Sequence, residues 1–204
     1  MQSAPPIVQV AERETVPRSE TPALRNLQSG MQTARGSMLS VLQPATISNL
    51  LTPELVVPAL AATTKDDVLE TLSALVGLIR PHVDVGQLAS SLHDRERQST
   101  TALEHGIAIP HARMAGLPGP LVAFGRSITG VAFGASDGRP TQLFLLIVVA
   151  ADRPGNHLKL LANAARLLGD ATCRSRLLEA PSAVELLAVL REQEERTLGR
   201  LRAA

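Results

Sequence analysis

The chain has 204 residues, is 45% hydrophobic, and carries a formal net charge of +1 with only three aromatic residues, all Phe. That apolar share supports one globular domain whose core is built from Leu, Val, Ile and Ala. Near-neutral charge, with no Trp, no Tyr and no basic run, excludes general attraction to polyanions and a stacking platform for single strands, so no nucleic-acid partner is expected.

A single cysteine, Cys173, cannot form an internal disulfide and asks for no oxidising compartment. With Leu177 one turn on, it reads as a small buried hydrophobe rather than a nucleophile. The longest apolar run, Leu143 to Ala151, is far short of the ~20 residues a bilayer needs. The N-terminus lacks the apolar centre of a secretory signal. A cytoplasmic protein with no membrane insertion is expected.

Residues 1–45 carry Pro5, Pro6, Pro17 and Pro22 with scattered Ser and no sustained apolar period. They read as a mobile N-terminal tail, with Met31 and Met38 as candidate internal starts. Residues 46–195 read as the domain and 196–204 as a C-terminal tail. A short strand is expected at 54–59, with Pro58 ending it or placing it at an edge. Val68, Leu72, Leu75 and Ile79 then repeat at helical spacing over 65–80. Thr64 fits its N-cap, Asp67 stands three residues on, and Pro81 closes it. A second helix is expected near 84–94, on Val85, Leu88 and Leu92. Residues 95–105 look polar and loop-like.

Strands follow. Residues 106–109 form a short one, stopped by Pro110, which has no N–H to give a ladder. Residues 120–128 and 141–150 are strand candidates, and the second is almost wholly apolar, as in a central strand covered on both faces. Gly130, Gly134, Gly138 and Pro140 mark turns between them. Helices return at 156–168, 171–179 and 183–195, with Ser182 and Glu185 fitting a capping box at the last. The fold class expected is α/β: a single domain with a mixed central β-sheet flanked by helices. No repeat and no glycine-rich phosphate loop interrupts it.

The stretch Glu104 to Arg113, EHGIAIPHAR, is the most informative. Ile107, Ala108 and Ile109 need burial, and Pro110 ends pairing. His111 is thus held on a rigid base just past a buried strand, facing solvent. Local physics alone does not separate this from a structural histidine.

Gly106-Ile107-Ala108-Ile109-Pro110-His111-Ala112 resembles the active-site signature of type-2 enzyme IIA domains of the phosphotransferase system, the mannitol/fructose and nitrogen-related class. Arg95-Glu96 upstream resembles that family's Arg-Glu pair. Phe124, Ile128, Phe133, Gly138 and Pro140 fall where the family places a β-hairpin and the next strand. Asn156-His157-Leu158 resembles the segment with its second active-site histidine. The likeness spans about 46–195. It departs at Ala102 and His105, where many relatives hold Gly and Asn, and this puts the shape of the phosphate pocket in question.

The resemblance implies that His111 accepts a phosphoryl group from the phosphocarrier HPr, with His157 and Arg95 as the other active-site residues. It implies a protein-histidine phosphotransferase component that passes the group to a IIB component or to regulatory targets. A nucleophilic imidazole must be neutral, and a ring with pKa near ~6.5 mostly is. Phosphoryl transfer needs positioning and charge stabilisation. Arg95 offers a planar fork matched to phosphate oxygens. His157, at a helix start, stands where backbone N–H groups favour an anion. No cofactor and no metal is required. An apolar rim including Met114 and Leu117 is expected as the carrier contact.

Other readings are weaker. Arg113, His82 and His93 read as surface residues, and His105 has no assigned role. Zinc on His105, His111 and His157 matches no familiar ligand spacing. No nucleophile-elbow pattern supports hydrolysis. Two uses of one chemistry remain: a step in sugar uptake, or a regulatory module whose phosphorylation state tunes its targets. With no IIB or IIC segment among the 204 residues, the second is favoured. A degenerate, unphosphorylated binding domain is a third possibility, against which Arg95, His111 and His157 stand.

Overall fold

The computed structural model describes residues 46–152 and 154–203. The stretch 1–45, with Met31 and Met38, lies outside the described residues. A short helix α1 (Ile47–Leu50) and a 3-10 turn (Pro53–Leu55) lead into strand β1 (Val56–Val57). The strand expected over 54–59 is thus only two residues long. Helix α2 (Lys65–Ile79) opens on a full capping box: the Asp67 N–H donates to Thr64 Oγ1 at 3.1 Å, and the Thr64 N–H donates to the Asp67 carboxylate at 2.9 Å. Helix α3 (Val85–Gln98) follows, capped by the Asp84 carboxylate, which accepts from the Gln87 N–H.

Helix α3 therefore carries Arg95 and Glu96 in its last turn, where the sequence pointed to a loop. Arg, Glu and Gln are good helix formers, and nothing in 95–98 breaks the run. After α3 come β2 (Ala102–Leu103), β3 (Ile107–Ala108), β4 (His111–Met114), β5 (Leu121–Val131) and β6 (Thr141–Ala150). The chain ends in α4 (Pro154–Gly169), α5 (Ala171–Glu179) and α6 (Ala183–Ala203). Helix α6 runs on into 196–204, the stretch read as a tail. At its start the Ser182 hydroxyl accepts from the Glu185 N–H at 3.3 Å and donates to the Glu185 carboxylate. That is one half of the expected capping box, because the carboxylate meets the hydroxyl instead of the backbone.

The described strands form one mixed six-stranded sheet. Strand β6 is its spine. It pairs antiparallel with β5 as a hairpin and parallel with β3 and β4 on its other side. Strand β1 adds in parallel beyond β5, and β2 adds antiparallel beyond β3. Strands β3 and β4 are one interrupted line along β6: Ile107 faces Leu143 and His111 faces Ile147. Pro110 breaks the ladder only briefly. Its carbonyl still accepts from the Ile147 N–H at 2.9 Å, and pairing resumes at His111. The expectation that pairing stops at Pro110 is corrected: His111 opens a strand.

Side-chain alternation along β6 builds two cores. Leu143, Leu145, Ile147 and Val149 pack with α1, α4, α5 and α6, and Phe144, Leu146, Val148 and Ala150 pack with α2 and α3. Burial on both faces explains the unbroken apolar run. Cys173 is buried in the first core, and burial pushes its thiol up to about 11, which suits packing and not nucleophilic chemistry. Among the described residues, no helix is long and apolar enough to cross a membrane.

Candidate functional site

The odd residues of the interrupted strand share one face. Ile107 and Ile109 belong to the core under α4–α6, while Ala108, Ala112 and Met114 belong to the core under α2 and α3. His111 and Arg113 continue the odd series, so they lean toward α4. Helix α4 brings His157 in its first turn, and the His111 and His157 ring centroids lie 5.2 Å apart. Arg95 reaches in from α3. Together these residues line a cleft of about 440 Å³ with Ser91, Asp94, Gln98, Ala112 and Arg113. The three residues singled out from sequence thus converge from two helices and a strand.

Hydrogen bonds fix the state of His111. Arg95 Nε donates to His111 Nε2 at 3.0 Å. A guanidinium can only donate, so Nε2 holds a lone pair and the ring proton sits on Nδ1. Nδ1–H then donates to the Ile109 carbonyl at 2.9 Å. His111 is half-buried. Burial lowers its pKa below the ordinary 6.5; the Ile109 carbonyl pulls the other way, and the Arg95 charge lowers it again. The result is a neutral imidazole with Nε2 directed at a guanidinium.

His157 is also held neutral. Burial lowers its pKa, followed by the influence of His111, Arg113 and Arg95. Its side chain is 9% exposed, and its Nδ1 has no hydrogen-bond partner among the described residues. A buried polar atom left unpaired asks for an explanation, and a ligand atom entering the cleft would supply one. The side chain of Asn156 lies outside the described residues.

Two readings change, the rim and Arg113, and His105 finds its place. Met114 and Leu117 are 4% and 8% exposed and sit in the core, so they form no rim. Leu158, which follows His157 in the chain, is an exposed apolar side chain, at 73%. Arg113, read as a surface charge, is solvent-exposed and also lines the cleft. His105 takes no place in the cleft. It occupies a left-handed position (φ 68°) in the β2–β3 turn, before Gly106 (φ 75°), and its backbone N–H donates to the Asp137 carboxylate at 2.8 Å. His tolerates that conformation better than most residues, which accounts for His105 in this turn.

Glu96 had no assigned role. It is buried outside the cleft, accepting from Lys65 Nζ at 2.9 Å, from the Thr101 N–H at 3.0 Å and from Thr101 Oγ1 at 2.6 Å. Its partners lie 5 and 31 residues away, a distribution that no local pattern reveals.

The family profile described as "Phosphoenolpyruvate-dependent sugar phosphotransferase system, EIIA 2" matches residues 49–193. A nitrogen regulatory protein of Pseudomonas aeruginosa is 33% identical over 144 residues, covering 71% of this chain and 94% of that protein. The fructose-specific EIIABC component of the phosphotransferase system of Bacillus subtilis is 30% identical over 149 residues, covering 73% of this chain and 24% of that protein, so the chain spans about a quarter of its length. The crystal structure of nitrogen regulatory protein IIA-Ntr from Neisseria meningitidis aligns with a TM-score of 0.67 at 29% identity, over 71% of this chain and 98% of that one. A profile match across most of the 204 residues, on a fold shared with a solved relative, settles the family: this chain belongs to the type-2 EIIA family of the phosphoenolpyruvate-dependent sugar phosphotransferase system.

Proposed function

We propose that the protein is a phosphocarrier that accepts a phosphoryl group on His111 Nε2 from phospho-HPr and hands it to a IIB component or uses it as a regulatory signal. The observation that carries this reading is the paired hold on His111: Arg95 on Nε2 and the Ile109 carbonyl on Nδ1–H. That hold leaves the ring neutral, in one tautomer, with its lone pair toward the cleft. As the group arrives, the Nε2 lone pair forms the new N–P bond and the donor imidazole takes back the electron pair of the old one. The His111 ring gains positive charge, which the Ile109 carbonyl stabilises at Nδ1–H. Arg95 must release Nε2 for the attack and then lies beside the phosphoryl oxygens, where its charge is needed. His157, with Nδ1 unpartnered, stands ready to bond a phosphoryl oxygen. Guanidinium and imidazole donors suffice, so the step requires no metal and no cofactor. Transfer between two imidazoles exchanges like bonds and is close to thermoneutral, as a relay requires. Leu158 replaces Met114 and Leu117 as the apolar contact for the docking carrier.

The regulatory use is favoured by the likeness to nitrogen regulatory proteins along nearly their whole length. The acceptor would then be a target protein read by its affinity for one phosphorylation state.

The test is incubation of the purified protein with phosphoenolpyruvate, enzyme I and HPr, read by intact mass. An acid-labile, base-stable phosphate in the parent, absent from His111→Ala, is the expected result. A parent left unlabelled by an HPr shown to be charged would defeat the phosphocarrier reading and leave a binding module on this fold.

A further inference from the structure

Arg95 and Glu96 are neighbours on the last turn of α3, yet they point to different places. Arg95 is in the cleft, on His111 Nε2. Glu96 is 7% exposed and holds the turn between α3 and β2 through the Thr101 N–H and hydroxyl. From Thr101 the connection continues. The Thr101 carbonyl accepts from the Ile109 N–H at 3.0 Å. The carbonyl of Ile109 in turn accepts from His111 Nδ1–H at 2.9 Å. Lys65, from the first turn of α2, closes the far side of Glu96 at 2.9 Å, with its ammonium 5.0 Å from the centroid of the Phe133 ring.

We infer that Glu96 is a positioning residue for His111: through Thr101 and Ile109 it holds the Nδ1 side of the ring while Arg95, one residue earlier, holds the Nε2 side. Two consecutive residues of one helix thereby set both nitrogens of the nucleophile. The buried carboxylate fixes where the Thr101 backbone lies. The Thr101 carbonyl fixes the Ile109 N–H, and so the backbone of the residue whose carbonyl holds the Nδ1 proton. This is the arrangement by which a second layer of contacts orients a reactive imidazole. Lys65 supplies the counter-charge that lets a carboxylate stay buried. Loss at Glu96 reaches the ring through the Ile109 carbonyl and through the removed charge, which acts to raise the His111 pKa; Thr101→Val, which keeps that charge, isolates the first path.

The inference rests on the phosphocarrier reading for its kinetic consequence only; the tautomer itself is read on the unphosphorylated protein. The experiment is ¹⁵N-histidine NMR on the full chain, comparing the parent with Glu96→Gln, Thr101→Val and Glu194→Gln. Glu194 is the control: another buried carboxylate, remote from the cleft, accepting from the N–H groups of Ile47 and Ser48 at the start of α1. The parent should show His111 with the proton on Nδ1. Glu96→Gln and Thr101→Val should each mix the two tautomers, and Glu194→Gln should not. In transfer from phospho-HPr, Glu96→Gln should lower kcat about tenfold or more with KM within about twofold, since geometry and not docking is lost. Thr101→Ser, which restores the hydroxyl, should recover the parental tautomer. If Glu96→Gln does not fold, Thr101→Val carries the test. A parental tautomer in both variants, or the same mixing in Glu194→Gln, would overturn the proposal. Tautomer mixing in Glu96→Gln and Thr101→Val, beside a single-tautomer parent that takes no phosphate, would sustain the positioning role while the phosphocarrier reading falls.

Discussion

Glu96 and Arg126 are both buried charges, on opposite faces of the sheet, and they are satisfied in opposite ways. Glu96 takes a counter-ion, Lys65, and two donors from Thr101. Arg126, 5% exposed on β5, takes carbonyls: Nε donates to Pro58, and Nη1 to Leu177, Leu178 and Ala180 at the end of α5. Those helix-end carbonyls lack intrahelical partners and carry the negative end of the helix dipole, so a cation satisfies them without a carboxylate. Arg126 thereby ties α5 and the segment after β1 to the sheet, remote from the cleft. Glu96 ties together the turn that leads to His111. The same physical demand, pairing a buried charge, serves stability in one place and site geometry in the other.

The comparison is broken most severely at Arg126. Arg126→Met keeps apolar bulk and strands four carbonyls. It should cost about 3 kcal/mol of folding free energy, as for other broken buried charge networks. Urea unfolding measures it. Phosphoryl uptake per folded molecule should stay within about twofold of the parent. A large fall in uptake at unchanged stability would mean that Arg126 acts on the site after all.

The reverse pattern is expected at Arg95. Arg95→Gln removes the donor to His111 Nε2 and the charge beside the incoming phosphoryl oxygens. Uptake should fall about 100-fold, the usual loss for one transition-state donor. Stability should change by less than about 0.5–1 kcal/mol, because the side chain is only half-buried. Near-parental uptake would reduce the Arg95 contact to a feature of the resting protein.

How much of this was legible depends on the range of the interactions. The Thr64–Asp67 box and the α2 stripe are local and stand as expected. Strand β6 announced itself because both of its faces are buried. The end of α3 is not legible in the sequence because its last turn is polar and only tertiary contact tells it from a loop. Strand β4 is hidden in the sequence because Pro110 interrupts the ladder, though only for a single step. The rim expected at Met114 and Leu117 rests on proximity in sequence alone. The strand period carried the correction: Met114 shares its face with Ala112, and Arg113 shares its face with His111. Counting by two from His111 would have turned Met114 inward and brought Arg113 to the cleft. The Glu96 connection had no such signal, since Lys65, Thr101 and Ile109 meet only in the folded chain.

Acid sharpens the comparison with the smallest effect. Burial lowers the pKa of His111, more than the Ile109 carbonyl restores, and Arg95 lowers it further; burial also leads for His157. A lowered pKa in the folded state means that the unfolded chain binds these protons more readily. The stability that the two rings contribute is therefore present above pH ~6.5 and is lost as pH falls through the folded values. The His111 titration followed by NMR should inflect below the ordinary 6.5, and phosphoryl uptake should persist down to that same inflection. Arg95→Gln should move the inflection up by removing a cation. Arg126→Met should leave it in place, because Arg126 is not among the charges acting on the ring. An inflection at or above the ordinary value in the parent would mean that the ring is more open to water than this packing allows. A shift in Arg126→Met would show that the two buried charges are coupled across the sheet.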